Sequence, residues 1–462
     1  MSNNRELVRD LNASHSIAIV AGTIIGSGIF LVPKEMMQAV GTAKLVYLAW
    51  IVGGLLSFFG ALTYAELGAI RPWAGGEYVY VRDGYGPLAG FLYAWTWFLI
   101  AKPASIASIT AGIVRVLGSF STFSFLPHPL FTWHISAGHD FTVNYGHLVA
   151  IFATILISGI NYIGVRKAGN FQLAFTVLKV AMIVFIVAVV FAMASGNWGN
   201  FATQFAGAKG GMAGFMAALV AALWAYDGWN DLNMVSGEIR NPERNIPLAL
   251  IAGVALVGLL YMGTNAAVQY AMPATAMANS AVPASEATQM AIGLRGALLV
   301  SAGMVLSMLV GLNGTIMSGG RIPFAVARDG YFFKRLAEIH PRFHTPGPAL
   351  VVQAIMACVL LLIGGAFKNL FSLAIFAEWL FYMLAAGTIF IFRSREPDKP
   401  RPYRTWGYPI VPALFIVAAS VLLCYTFADN LRNSSIGLGI ILLGVPVYFY
   451  FAQRKNRETA GR

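Results

Sequence analysis

Residues 22–30 read Gly-Thr-Ile-Ile-Gly-Ser-Gly-Ile-Phe, and residues 224–231 read Trp-Ala-Tyr-Asp-Gly-Trp-Asn-Asp. Each stretch interrupts an apolar run with residues that a plain membrane-crossing helix avoids. Gly26 and Gly28 flank Ser27, while Gly228 sits beside Asp227 with Asp231 one turn on. Glycine costs a helix interior about 1 kcal/mol relative to alanine. An aspartate at the bilayer centre costs about 2.5–3.5 kcal/mol on insertion scales. Small residues alone serve close helix packing, which is all that Gly53 and Gly54 require. In the two quoted stretches they coincide with hydroxyl, carboxylate and amide groups. The reading is of two helices broken near mid-membrane.

The runs around these breaks set the class. Of 462 residues 58% are hydrophobic and 11% charged, and mean hydropathy is +0.69. Soluble domains carry about 25% charged residues, so this chain has too little charge to cover a water-facing surface. A span needs about 20 apolar residues. Twelve are read, at 15–37, 44–69, 86–118, 146–166, 170–195, 211–235, 247–271, 296–320, 348–367, 370–392, 409–428 and 435–452. The expected fold is an all-α polytopic membrane protein with 12 transmembrane helices. The first fourteen residues are polar, and no cleavable signal peptide is read.

An even number of spans puts both termini on one side. With the N-terminus inside, 22 of the 31 Lys and Arg residues fall on inner segments and seven on outer ones, leaving Lys102 and Lys179 within spans. That bias predicts cytoplasmic termini. It also accounts for the net charge of +12 without nucleic acid. Cys358 and Cys424 lie in apolar runs and compose neither a zinc site nor a disulfide framework. His128, His134, His139 and His147 match no metal-ligand spacing, so neither metal nor cofactor is expected. Glu66 is read as a structural partner of Arg71 or Arg82. Glu238, Arg240, Glu243 and Arg244 form an inner loop, either solvated or holding a gate salt bridge.

The two breaks lie five spans apart. Halves of five spans insert with opposite orientation, and interrupted helices at matching positions of such halves mark a transporter's binding site. The expected organisation is 1–14 as an N-terminal segment, 15–195 and 196–392 as inverted halves, 393–452 as two further spans and 453–462 as a tail. A helix restarting at Gly26-Ser27-Gly28 offers free N–H groups and a positive dipole end to a carboxylate. Carbonyls freed at Ile24, Trp224 and Asp227 suit an ammonium. Donors for a carboxylate a few ångströms from acceptors for an ammonium describe an amino acid. Trp224 and Trp229 either line such a site or pack.

These motifs carry a resemblance. Residues 22–30, 64–95 (YAELGAIRPWAGGEYVYVRDGYGPLAGFLYAW), 224–247 (WAYDGWNDLNMVSGEIRNPERNIP), Lys102-Pro103 and 318–350 (SGGRIPFAVARDGYFFKRLAEIHPRFHTPGPAL) occur in order. Over about 15–410 the chain closely resembles the L-type amino acid transporter family of the amino acid–polyamine–organocation superfamily. The resemblance implies a LeuT-like fold of five-plus-five inverted repeats with helices 1 and 6 discontinuous. It implies that Gly26, Ser27 and Gly28 bind substrate carboxylate and that Ile24 offers a carbonyl to the ammonium. Trp224 falls where the family has an aromatic outer gate, and Asp227 where many members have glycine. Asn230 and Trp379 match positions near the pocket, and Glu378 departs from the pattern. Lys179 stands where sodium-independent relatives replace a bound sodium ion by a lysine bridging spans 1 and 8, with Gly22 and Ser318 as its neighbours.

The implied activity is sodium-independent exchange of neutral L-amino acids by alternating access, extending to cationic ones; the alternative is proton-coupled symport. Asp227 and Glu378 recognise a cationic side chain, couple a proton, or are simply hydrogen-bonded. Animal relatives bond an ancillary glycoprotein through an outer-loop cysteine that this chain lacks. The expectation is therefore a stand-alone prokaryotic transporter of the inner (plasma) membrane, with amino acids and lipid as its partners. An intramembrane aspartyl protease would need a Gly-x-Gly-Asp motif on a second span, which is absent, and no enzyme activity is expected.

Overall fold

The structure, a computed structural model, describes residues 7–460 except 119, 137–138, 364–366 and 430; side chains are described at these positions except 121, 134–136, 139–140, 367–376, 429, 433 and 459–460. Nine helical stretches among the described residues are long and apolar enough to cross a bilayer. The chain is a multi-pass membrane protein whose described apolar runs are mainly helical.

The first run is two helices, α1 (Ala13–Ile24) and α2 (Gly28–Val40). Asn12 starts α1 with a reciprocal cap: its side chain accepts from the His15 N–H, and the His15 ring accepts from the Asn12 N–H. α2 stops at Gly41, which takes a left-handed φ of +72°. α3 (Ala43–Ile70) follows, then α4 (Glu77–Tyr85) and α5 (Pro87–Thr96). A π-helical turn at Trp97–Ala101 leads into α6 (Lys102–Gly118). Pro103 has no N–H to give the preceding turn, and the widened turn absorbs that loss.

Next come α7 (Tyr145–Tyr162), α8 (Val165–Met193), α9 (Gly211–Ala225) and α10 (Asp231–Met234). α11 (Pro242–Ala271) precedes the short α12 (Ala274–Asn279) and α13 (Pro283–Ile292). α14 (Leu294–Gly319) runs on past Gly320 into α15 (Arg321–Arg328). The last four are α16 (Gly347–Ile363), α17 (Phe367–Arg395), α18 (Ile410–Asp429) and α19 (Leu431–Ala460). α3 packs on α11, α1 against α11 and α8, and α6 against α14. The interrupted helices meet in the middle, α2 on α9 and α1 on α10.

Three sequence expectations change and one left open is decided. The purely α class gains an antiparallel hairpin, β1 (Pro129–Ser136) with β2 (His139–Asn144), ahead of α7. The fourth and fifth runs divide at Gly164, whose φ of +137° only glycine adopts easily, instead of across residues 167–169. Glu66 pairs with neither Arg71 nor Arg82: Arg393 donates to both its oxygens, at 2.9 and 2.6 Å. Arg71 instead bridges Asp83 at 3.1 Å and Glu396 at 2.5 Å. That guanidinium holds the Glu396 carboxyl below the usual carboxylate range. In the loop after the sixth run, Glu238 pairs with Arg321 and Arg240 with Asp10, while Glu243 and Arg244 are solvent-exposed. Sequence distance hides these partners. The side chains of His134 and His139 lie outside the described residues.

Candidate functional site

The break between α1 and α2 leaves carbonyls that no helix satisfies. Lys179, fully buried on α8, donates to the Gly22 carbonyl at 2.6 Å and the Ile25 carbonyl at 2.7 Å. Ser318 does not join it; its hydroxyl donates to the Thr315 carbonyl at 3.1 Å. Tyr261 from α11 reaches both breaks, its hydroxyl lying 3.1 Å from the Ile24 carbonyl and 2.8 Å from that of Ala225. One hydroxyl proton serves these two carbonyls, so the Ile24 carbonyl keeps at least one lone pair for anything else.

Glycines allow the two breaks to touch. A Cβ on Gly28 would lie 3.2 Å from the Ala225 Cβ. Gly228 has φ +105°, and a Cβ there would lie 2.9 Å from Thr23 Cγ2. Gly228→Ala adds backbone strain of about 1–3 kcal/mol to that clash. It is expected to slow uptake at least about tenfold in reconstituted vesicles; wild-type uptake would remove the close contact from the working cycle.

A cavity of about 180 Å³ opens at the junction, lined by Gly26, Ser27 and Gly28 on one side and by Trp224, Asp227 and Asn230 on the other. Lys102, Asp231, Glu378 and Tyr382 complete its polar wall. It extends along α6 past Ser108 to Gly112 and along α14 from Thr315 to Ser307, toward the hairpin end of the bundle. Trp224 stands in this opening, 38% exposed. Two other tryptophans lie behind the wall. Trp229 is buried edge-on against Tyr64, and Trp379 is buried against Tyr382 and Phe415.

The opposite end is shut. Arg321 and Glu238 are both fully buried, with two hydrogen bonds of 2.7 and 3.0 Å between them. The N-terminal segment lies along the same place, the Leu11 N–H donating to the Glu238 carbonyl at 2.9 Å and the Arg240 N–H to the Leu11 carbonyl at 2.8 Å. Tyr78 and Arg82 both bond Asp329 nearby.

A hydrogen-bonded chain backs the acidic wall. The Tyr382 hydroxyl lies 3.1 Å from Asp227 Oδ1 and 3.3 Å from Asn230 Oδ1. Asn230 Nδ2 donates to Glu77 Oε1 at 2.9 Å, and the Tyr93 hydroxyl to Glu77 Oε2 at 2.5 Å. Lys102, just past the π-turn, forms a buried ion pair with Asp231. Glu77, Lys102, Asp231 and Tyr382 were not singled out as binding residues by sequence reasoning. The available signal was Asp231 as a second aspartate in the 224–231 stretch and Lys102 as a cation within a span; Glu77 follows Gly75-Gly76, whose φ angles of +97° and +45° fold it back into the core.

A family model described as amino acid permease matches residues 11–449. The serine/threonine exchanger SteT of Bacillus subtilis (strain 168) is 32% identical over 452 residues, covering 97% of this chain and 98% of the relative. The human b(0,+)-type amino acid transporter 1 is 32% identical over 425 residues, covering 90% and 82% respectively. The human cystine/glutamate transporter is 30% identical over 448 residues, covering 96% and 86%.

Proposed function

The chain belongs to the amino acid permease family, and on that premise we propose a sodium-independent exchanger of neutral L-amino acids. The observation that carries this reading is the cavity where both interrupted helices end. A substrate carboxylate is held by the amides at Gly26, Ser27 and Gly28, at the positive end of α2. The ammonium faces the spare lone pair of the Ile24 carbonyl and the Asp227 carboxylate. Trp224 covers the opening, and Asn230 and Glu378 border the side-chain volume. Trp379 shapes that volume through Tyr382.

Lys179 supports sodium independence, because its ammonium already occupies the carbonyls that a cation would need. The architecture we infer is twelve spans in a LeuT-like inverted repeat. The nine long stretches, the shorter apolar α9 and α16, and the 29-residue α17 support that number. The inner bias of Lys and Arg supports cytoplasmic termini, so the hairpin end is the outer face and the cavity is open outward. A stand-alone carrier, without a disulfide-linked partner, fits the two cysteines at Cys358 on α16 and Cys424 on α18.

Asp227 and Glu378 on the cavity wall favour a second reading, proton symport. Uptake of labelled alanine or serine into proteoliposomes separates the two. Exchange predicts uptake that needs internal amino acid and ignores sodium. Equal uptake into empty vesicles under a pH gradient alone would overturn it.

A further inference from the structure

A second cavity, of about 410 Å³, lies at the closed end of the bundle and shares no residue with the one between the broken helices. Arg9 from the N-terminal segment, Arg82 from α4 and Arg328 from α15 line it, with Asp329 as the one carboxylate among its described lining. That carboxylate is spent, since Arg82 pairs with it and the Tyr78 hydroxyl donates to it at 2.6 Å. Neighbouring acids are also taken, Asp83 by Arg71 at 3.1 Å and by Arg82 at 2.8 Å, and Asp10 by Arg240 at 2.7 Å. Arg9 and Arg328 are solvent-exposed and have no carboxylate partner among the described residues. The Arg328 guanidinium lies over the Phe324 ring at 5.7 Å. Stacking of this kind uses the flat face of a guanidinium and leaves its N–H edge free.

Three cations against one anion leave positive charge unbalanced in a single hollow. A phosphate group matches it, with about two negative charges and three acceptor oxygens that guanidiniums bind through paired N–H bonds. Basic pockets at the cytoplasmic ends of membrane helices hold anionic headgroups by this chemistry. Trp73 stands at the rim, 57% exposed, as aromatics do at headgroup level.

The pocket also spans a seam. The N-terminal segment and the turn Ser236–Glu238 contribute Arg9 and Gly237, while α4 and α15 contribute the other two arginines. Gly237 adjoins Glu238, and Ala325 lies one turn past Arg321, so the buried Glu238–Arg321 pair borders the cavity. Opening this end parts that pair and lifts the N-terminal segment, which carries Arg9 away from Arg82 and Arg328.

We propose that this pocket binds a phosphate-bearing anion, either a lipid headgroup or soluble phosphate, and that the bound anion holds the closed end shut. Its cytoplasmic placement rests on the orientation inferred above. The anion meets all three arginines only when the end is closed, so it shifts the population toward that state by its differential affinity. Inward release of substrate then slows.

The test measures labelled amino acid exchange by wild-type protein in phosphatidylcholine vesicles. One arm replaces chloride with inorganic phosphate at equal ionic strength, and the other adds phosphatidic acid to the membrane. Exchange is expected to fall about tenfold in at least one arm. Slowing by phosphatidic acid alone identifies a headgroup, and slowing by inorganic phosphate alone identifies a soluble ligand. Arg9→Gln combined with Arg328→Gln is expected to exchange at the wild-type rate without phosphate and to lose the inhibition. Unchanged exchange in both arms overturns the proposal, as does equal inhibition of the double variant, which would be an effect of surface charge alone. In detergent, the effective anion is expected to raise the melting temperature of the wild type and not of the double variant; no rise in either overturns the site. That readout stands even where no exchange is seen, a result that overturns the exchange reading instead. In native membrane vesicles of one orientation, phosphate that acts only from the outer face supports the pocket and overturns the orientation.

Discussion

Lys179→Ala is expected to stop exchange in proteoliposomes while the protein still inserts and purifies. In an unbroken helix the Gly22 carbonyl would accept from the amide of residue 26. The break removes that donor, and the ammonium supplies the replacement at 2.6 Å, with the Ile25 carbonyl at 2.7 Å. Hydrogen bonds to a charged group contribute about 1.5–3 kcal/mol each. Losing two corresponds to about 3–6 kcal/mol, or a hundredfold and more in the population of a correctly held break. The neighbourhood gives no substitute. A Cβ on Gly22 would already lie 2.4 Å from Thr176 Oγ1 and 2.5 Å from Gln172 Nε2, and those two side chains are spent on the Ala18 carbonyl. The measurement is labelled amino acid uptake beside a melting curve in detergent. Wild-type uptake by the variant would show that the break holds without its cation.

Arg321→Ala is expected to produce a large loss of stability. Arg321 and Glu238 are 0% exposed, and Arg321 also donates to the Met317 carbonyl at 2.8 Å. Removing one partner of a buried pair strands the other charge, at a cost of about 3–5 kcal/mol. The same pair sits where the N-terminal segment crosses the closed end, so the variant also loosens that seal. Arg321→Lys is expected to rescue poorly, since an ammonium cannot reproduce the forked contact to both carboxylate oxygens. Replacing both partners, as Glu238→Gln with Arg321→Met, is expected to melt well above Arg321→Ala, because no unpaired charge is left behind. Unchanged melting of the single variant would mean that water reaches Glu238 in the closed end.

Local features were legible in the chain. The breaks at Gly26-Ser27-Gly28 and at Asp227-Gly228 announce themselves because glycine and aspartate are costly in a membrane helix wherever that helix packs. The apolar runs follow for the same reason, since the length needed to cross a bilayer is a property of consecutive residues. Lys179 stood out as a charge far inside such a run, whereas Gly22 as its neighbour came only from the family resemblance.

Pairing was another matter. Lys102 and Asp231 are 129 residues apart, and Glu66 and Arg393 are 327 apart. With 31 basic and 19 acidic residues in the chain, composition leaves many partners open, and only helix packing brings two of them within reach. Trp224 and Trp229 illustrate the limit: both are tryptophans of one motif, yet the first stands in the cavity and the second is buried against Tyr64. Four residues separate them, and the turn at Gly228 rotates one away from the other. By itself, then, the sequence determined where helices run, where two of them break, and which few charges lie among apolar neighbours. The tertiary structure alone decided which charges neutralise one another, and so left Asp227 and Glu378 facing the cavity with no cation paired to them among the described residues, because charge balance in a low-dielectric interior depends on distances between elements that no local pattern encodes.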